Sequence, residues 1–429
     1  MTTRWWWWPL AAVPALAGAV SLALEVGDFR SSGLIAGVSI SIGLAAITLL
    51  LRAPWRGRRG IGRLLPVVPP LLLGMISLVG LSEGLPEFFQ ARGLFIDVES
   101  VGPIKVVIHD GAVVVVGSDT EGSFVWVSGD GSEWSIIDDS TLAELELVDA
   151  LVANGSVVVL GRSTETDAAG VVLVSEDGRT YEERGRFSNS EFGTIPQAMA
   201  PFGDGLVVIS DIYGNDIEFY SSHDTRSWMA GQPSPMFDDG ESARDIACSS
   251  ELCIGVGFYD ASYRPELEAN AGAAWTVSSR NDFQPVDYHF NAGRLDAIAW
   301  NTSGFVAVAD SDADRGLAWH SSDGVEWRPL PGPFSEMVID GVEATDAALV
   351  VFGRNPISGD LMLWSSEDNV NWSAAVVGMG FPAGSRLRSV ASTENGLIAV
   401  GINAETFDPL VWTSSGGNGW QEGTVLPAR

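Results

Sequence analysis

A chain of 429 residues has room for more than one domain. Its net charge of −31 is unevenly spread: residues 1–93 carry eight Arg against four acidic residues, whereas residues 94–429 carry 16 basic against 51 acidic residues. The field of the larger part repels phosphate, which excludes nucleic acid and anionic lipid as its partners, and parts so differently charged imply different surroundings.

The first three elements in chain order are apolar. Residues 5–24, 33–51 and 64–81 carry no charge, and each run is near the length that crosses the hydrocarbon core as a helix. Pro66, Pro69 and Pro70 fall in the first turns of the third run, where proline is tolerated. Trp5 to Trp8 form an aromatic block beside Arg4 that suits the headgroup interface. A cleaved signal peptide fits the first run poorly, because the apolar stretch is too long and residues 25–28 (Glu-Val-Gly-Asp) lack a small-x-small cleavage site. Arg52, Arg56, Arg58, Arg59 and Arg63 crowd the loop between the second and third runs. The positive-inside rule makes that loop cytoplasmic, places the N-terminus inside and puts everything after the third run outside. The expectation is a multi-pass cell-membrane region over residues 1–85, a linker over 86–101 and an extracytoplasmic domain over 102–429.

From residue 102 onward one motif recurs seven times. An aromatic or apolar residue is followed by a small polar pair, then Asp-Gly or a variant, and four residues past the Asp comes an aromatic. The pairs are Asp130 with Trp134, Asp177 with Tyr181, Asp224 with Trp228, Ser279 with Phe283, Asp323 with Trp327, Asp368 with Trp372, and Gly416 with Trp420. The Asp-equivalent positions are 47, 47, 55, 44, 45 and 48 residues apart, a period in the range of four-stranded propeller blades. In the second repeat, residues 148–152 read as a strand, Asn154-Gly155 as a hairpin turn and 157–160 as a second strand. Residues 161–170 read as a loop, 171–174 as a third strand, and a fourth begins at Tyr181. The second strand often ends in Gly: Gly117, Gly161, Gly257, Gly353 and Gly401. Four short strands cannot bury both faces alone, whereas seven such units stacked radially can. The predicted fold is an all-β seven-bladed β-propeller preceded by an all-α region of three transmembrane helices. Whether residues 94–98 lend a strand to close the ring is left open by the sequence.

In the turn itself, Asp can accept from backbone N–H groups and Gly supplies positive φ without steric cost. The motif resembles the Asp-box (BNR-type) repeats of sialidase-like propellers and sortilin-type receptors, over the whole of residues 102–429. The resemblance implies a propeller whose boxes fasten hairpins away from any ligand site. It makes Asp130, Asp177, Asp224, Asp323 and Asp368, with Trp134, Trp228, Trp327, Trp372 and Trp420, structural residues. Some boxes are degenerate: Ser279 and Gly416 replace Asp, and Thr225 replaces Gly.

Cys248 and Cys253, the only cysteines, flank the first hairpin turn of the fourth blade. Outside the membrane a disulfide is the natural reading, with two buried thiols as the rival; a metal site has no nearby His and no second Cys pair.

First-hairpin turns and boxes share one face, while the loops between second and third strands share the other with the inter-blade connections. By analogy with other propellers, the second face carries the ligand. Its longest loop, 258–273, supplies Tyr259, Tyr263, Arg264 and Glu266 as the recognition cluster, joined by Arg162 and Arg354 from the loops of blades 2 and 6. A sialidase resemblance would cast Arg162, Arg264 and Arg354 on a substrate carboxylate and Tyr263 with Glu266 as the nucleophile pair. The Phe/Tyr-Arg-Ile-Pro signature is missing, however, and those enzymes have six blades. Asp310, Asp312 and Asp314 begin like a calcium loop, but Gly316 is one place late and the twelfth position is Ser321 rather than Glu. A solvated acidic loop is the reading there, with calcium the alternative. The four His residues show no metal spacing, and no metal or other cofactor is implied. The sequence thus reads as a membrane-anchored binding or scaffold module for a protein or carbohydrate ligand of the cell envelope. An extracytoplasmic glycoside hydrolase and an assembly factor for a membrane complex are the alternatives.

Overall fold

The structure is a computed structural model that describes residues 102–429 apart from 120–121, 165–168, 189–192, 213–215, 232–239, 262–269, 279–282, 311–314, 376–380, 383, 404–405, 416–418, 422 and 428–429. These residues lie within one compact unit, Glu99–Arg429. Blade 1 is a meander of four antiparallel strands: β1 (Gly102–His109), β2 (Ala112–Asp119), β3 (Gly122–Ser128) and β4 (Ser135–Ile137). The same order recurs six more times, so that seven four-stranded sheets each use four consecutive strands. The three apolar runs and residues 94–98 lie outside the described residues; among the described residues no helix is long and apolar enough to cross a membrane.

The middle strands explain why the blades stack. In blade 2, Gly170–Ser175 is buried at every position and Ser156–Ser163 at nearly every one, so these strands are apolar on both faces instead of alternating. A sheet of that kind needs a neighbour on each side. Seven apolar clusters meet the need, one between each pair of adjacent blades. The seventh closes the ring: Val113, Val115 and Trp126 of blade 1 pack with Ile398, Val400 and Leu426 of blade 7. Closure needs no shared strand, because each sheet already holds its own four. The Trp126 indole N–H donates to the Pro427 carbonyl at 2.9 Å, which ties the end of the chain onto the first blade.

The glycines of the second strands have a specific cause. They do not end those strands, which run on past them, as Ser156–Ser163 runs past Gly161. Instead each lies beside a bulge in the inner strand of its blade, between Pro103 and Lys105, Leu147 and Asp149, Ala243 and Asp245, Ile339 and Gly341, and Leu387 and Ser389. The bulge presses an inner-strand carbonyl onto the glycine. A Cβ on Gly401 would sit 1.9 Å from the Arg386 carbonyl oxygen, and one on Gly353 would sit 2.0 Å from that of Val338. Gly401→Ala is expected to cost about 2 kcal/mol or more, the range of overpacking in a close-packed interior. A denaturant midpoint that did not move would show that the bulge relaxes freely.

The recurrent turn works as a fastener. The Asp177 carboxylate accepts from the N–H groups of Arg179 and Thr180, both at 2.8 Å, and Asp323 accepts from Val325 and Glu326 at 2.9 Å. Asp130, Asp224 and Asp368 repeat the pattern. The indoles of Trp134, Trp228 and Trp327 fold back and donate to the carbonyls of Gly131, Thr225 and Gly324. Trp372 and Trp420 pack instead on Phe334 and Phe381. Thr225 and Asn369 hold the left-handed conformation that Gly supplies elsewhere, at φ of 62° and 60°. For Asn369 there is a visible return, since its amide donates to Asn301 and to the Gly304 carbonyl of the neighbouring blade. Cys248 and Cys253 are cross-strand partners beside the first turn of blade 4 and form a disulfide.

Candidate functional site at the mouth of the central channel

The inner strands of the seven blades ring a central channel: β1, Leu145–Ala153, Thr194–Phe202, Glu241–Cys248, Ala297–Asn301, Val338–Ala344 and Ser385–Thr393. Each has one edge without a ladder partner, and its N–H groups need acceptors. Side chains from the preceding blade supply several of them. Asp149 of blade 2 accepts from Ala150 and, at 2.9 Å, from Met199 of blade 3. Asp211 of blade 3 accepts from Ala243 of blade 4 at 2.6 Å, and Asp245 of blade 4 accepts from Ile246 and from Ile298 of blade 5, both at 2.8 Å. The Ser389 hydroxyl of blade 7 accepts from Val106 of blade 1. These carboxylates are staples between blades.

Among the described residues, Lys105 is the cation that faces Asp149 and Asp245. The Lys105 ammonium donates to Glu343 at 3.2 Å, reaching from blade 1 to blade 6 past the intervening blade 7. Lys105 is the only lysine in the chain. Protein encloses the pair, yet 32% of the Lys105 side chain and 14% of Glu343 stay accessible, so the channel is hollow at this level. Burial alone would lower the Lys105 pKa, but the charges of Glu343, Asp149 and Asp245 outweigh it and hold the ammonium above the ordinary lysine range. Burial raises the carboxyls in turn. Asp245 is pushed up to about 7 against the pull of the Ile298 N–H and Lys105, and Asp211 up to about 6 against the Ala243 N–H. Asp149 and Glu343 move in the same direction for the same reason, with Lys105 opposing.

Above this cluster, toward the loop face, arginines collect. Arg162 and Arg354 stand near the ends of the second strands of blades 2 and 6 and pair with Glu146 and Asp340 of their own inner strands. Arg244 and Arg388 are bulged residues of the inner strands, with Arg386 two places before Arg388. The Arg244 guanidinium lies 5.3 Å from the centre of the Phe258 ring. Burial raises the Asp340 carboxyl, and Arg354, Arg386 and Arg388 oppose it. Five of the 15 arginines in residues 94–429 therefore gather at one rim of a strongly acidic domain. Between blades 1, 2 and 3 the rim opens into a pocket of about 270 Å³, lined by Ile104, Val148, Ile195, Pro196, Gln197 and the Glu146–Arg162 pair among others. A second hollow, of about 410 Å³, lies on the turn face along the seam between blades 7 and 1.

The residues expected at the site thus separate. Arg162 and Arg354 meet the channel mouth as strand residues, not loop residues. Tyr259 ends the second strand of blade 4 and packs edge-on against Trp275, with centroids 6.1 Å apart. Tyr263, Arg264 and Glu266 lie outside the described residues, as do Asp312 and Asp314 of the acidic loop. Among the described residues no three His, Cys, Asp or Glu side chains form a group able to hold a metal ion. Sequence reasoning missed Lys105, Asp149, Asp245 and Glu343. A single lysine among 24 basic residues was the one signal that could have marked the first; the carboxylates were indistinguishable from surface charges.

No family model matches this chain, and no curated protein does. Among solved structures, it is similar to the BP39L lectin from Burkholderia pseudomallei, with a TM-score of 0.57 and 14% identity over 76% of this chain and 99% of that one. It is also similar to virginiamycin B lyase from Staphylococcus aureus (TM-score 0.49, 10% identity, 74% and 92% covered) and to the WD40 repeats of RRP9 (TM-score 0.47, 13% identity, 70% and 87% covered). At 14% identity the likeness to the BP39L lectin shows the fold alone.

Proposed function

We propose that this protein is a membrane-anchored propeller of the Asp-box class. Three N-terminal helices hold it in the membrane, and the channel-mouth face binds a protein or glycan ligand of the cell envelope outside the cytoplasm. Fold alone does not select a function. The observation that carries the reading is the concentration of five arginines at one rim of a domain with 16 basic and 51 acidic residues. Guanidiniums at a concave mouth, four of the five half-buried, are donors placed for recognition. A hydrolase on the same scaffold needs a pair of carboxylates free to exchange protons. In the channel, Asp149 and Asp245 are instead each committed to two backbone N–H groups, and Glu343 is committed to Lys105.

The test uses the full-length chain in detergent on a glycan array and against purified envelope polysaccharides, beside an R354Q/R386Q/R388Q variant. Binding by the parent that falls about tenfold or more in the variant supports a ligand face at the mouth. Equal binding by both would sink it. Protease digestion of intact cells checks the anchoring: the C-terminal domain should be cut from outside, and a protected domain would reverse the orientation.

A further inference from the structure

The pocket between blades 1, 2 and 3 points to a small ligand of definite chemistry. Three successive inner strands contribute to it at their bulges: Ile104 and Val148 between bulge-flanking pairs, and Gln197 between Pro196 and Ala198. A bulged residue has no ladder partner opposite it, so its side chain is freed from the alternation of the sheet. The wall is aliphatic, with Ile104, Val148, Ile195 and Pro196, and at its lip stands one guanidinium–carboxylate pair, Arg162 with Glu146.

Both members of that pair stay open to solvent, at 31% and 40% of their side-chain surface. An ion pair so exposed contributes little to stability and is readily exchanged for a better partner. Among the described residues, Arg162 spends one terminal nitrogen on Glu146 and keeps the rest of its fork for another acceptor. Gln197 donates its amide N–H to Asp211 at 3.2 Å, which leaves its carbonyl oxygen as an acceptor. A cation donor site and an anion acceptor site thus sit side by side above an aliphatic wall.

We propose that this pocket binds a free α-amino acid with an apolar side chain. The ligand carboxylate takes the Arg162 fork, the ammonium lies between Glu146 and the Gln197 carbonyl, and the side chain enters among Ile104, Val148, Ile195 and Pro196. The volume of about 270 Å³ accommodates a branched aliphatic side chain with its backbone. A sugar suits the pocket less well, because it would find partners only at Arg162, Glu146 and Gln197, and the wall of Ile104, Val148, Ile195 and Pro196 would offer its other hydroxyls none. The inference names a ligand for one part of the mouth, and it rests on the reading of that face as a binding face.

Isothermal titration of the full-length chain with L-leucine is the direct test. Leucine is expected to bind at least about tenfold more tightly than leucinamide, N-acetylleucine or glycine, each of which lacks one of the three groups recognised, and than glucose, which lacks all three. R162M and E146Q should each weaken leucine by about tenfold with an unchanged melting temperature, while R328M, on the exposed outer strand of blade 5, should bind leucine like the parent. Equal affinity for leucinamide, or full binding by R162M, overturns the proposal, as does preference for glucose. If leucine fails while polysaccharide binding still depends on Arg354, Arg386 and Arg388, the amino-acid pocket is wrong and the binding face stands.

Discussion

Replacing Lys105 by methionine is expected to lower the stability of the propeller by about 3 kcal/mol at neutral pH, the lower range for leaving a buried charge without its partner. Full burial would make the loss larger, but a third of the Lys105 side chain remains accessible, and that reduces it. The cause is the company Lys105 keeps. Glu343 would lose its ion pair, and Asp149 and Asp245 would lose the positive charge that faces them. Those carboxyls can relieve the strain by taking up protons, so the loss should shrink from pH 8 to pH 5. Denaturant melts of the parent and the variant at the two pH values read the effect directly, and an equal loss at both would contradict an electrostatic origin. Because no other lysine exists, amine-selective acylation gives an independent check. Apart from the α-amino group it can modify only Lys105, and an ammonium held above the ordinary range should react slowly until the ring unfolds.

The second large effect is a fall in melting temperature as pH rises from about 5 to about 8. Asp211 and Asp245 titrate near 6 and 7 in the fold against 3.8 for an ordinary aspartate. Between those values the native state holds protons that the unfolded chain has released, so stability declines with rising pH through that window and levels off above it. The fastening turns act in the opposite sense and lower down. Asp130, Asp177 and Asp224 titrate near 2, held there chiefly by backbone N–H groups, so their contribution is complete above about 4 and is lost as pH falls toward 2. Maximal stability is therefore expected between about 4 and 5. The net charge of −31 also grows more repulsive with pH, which makes the parent curve ambiguous by itself. Asp245→Asn separates the two causes: it removes the titration of one buried group while changing the total charge by one. The variant should be less stable at pH 5, through a weakened acceptor for Ile246 and Ile298, and markedly flatter from pH 5 to pH 8. A slope equal to the parent's would assign the decline to global repulsion.

Much of the architecture was legible because each repeat states it locally. The Asp-Gly turns at Asp130, Asp177 and Asp323 need only their own residues to form, and the residue-to-residue spacing of about 47 counts the blades. The pairing of Cys248 with Cys253 was equally local, five residues apart across a single turn. Arg162 and Arg354 could be assigned to the loop face from strand order alone, although their assignment to loops failed. The strand continues past its glycine because the inner-strand bulge, invisible in the pattern of apolar residues, lets it.

The channel was another matter. Lys105 and Glu343 are 238 residues apart, and nothing near either predicts the other. Asp149 and Asp245 look in sequence like any of the 55 acidic residues, and only the stacking of the next blade gives them a backbone N–H to hold. The sequence by itself determined what depends on neighbours along the chain: the blade unit, its turn, the number of repeats and the sidedness of the loops. Tertiary structure decided what depends on closing the ring. Seven inner strands brought edge-on to one axis concentrate unpaired N–H groups and enclosed charge in a space that no single repeat contains.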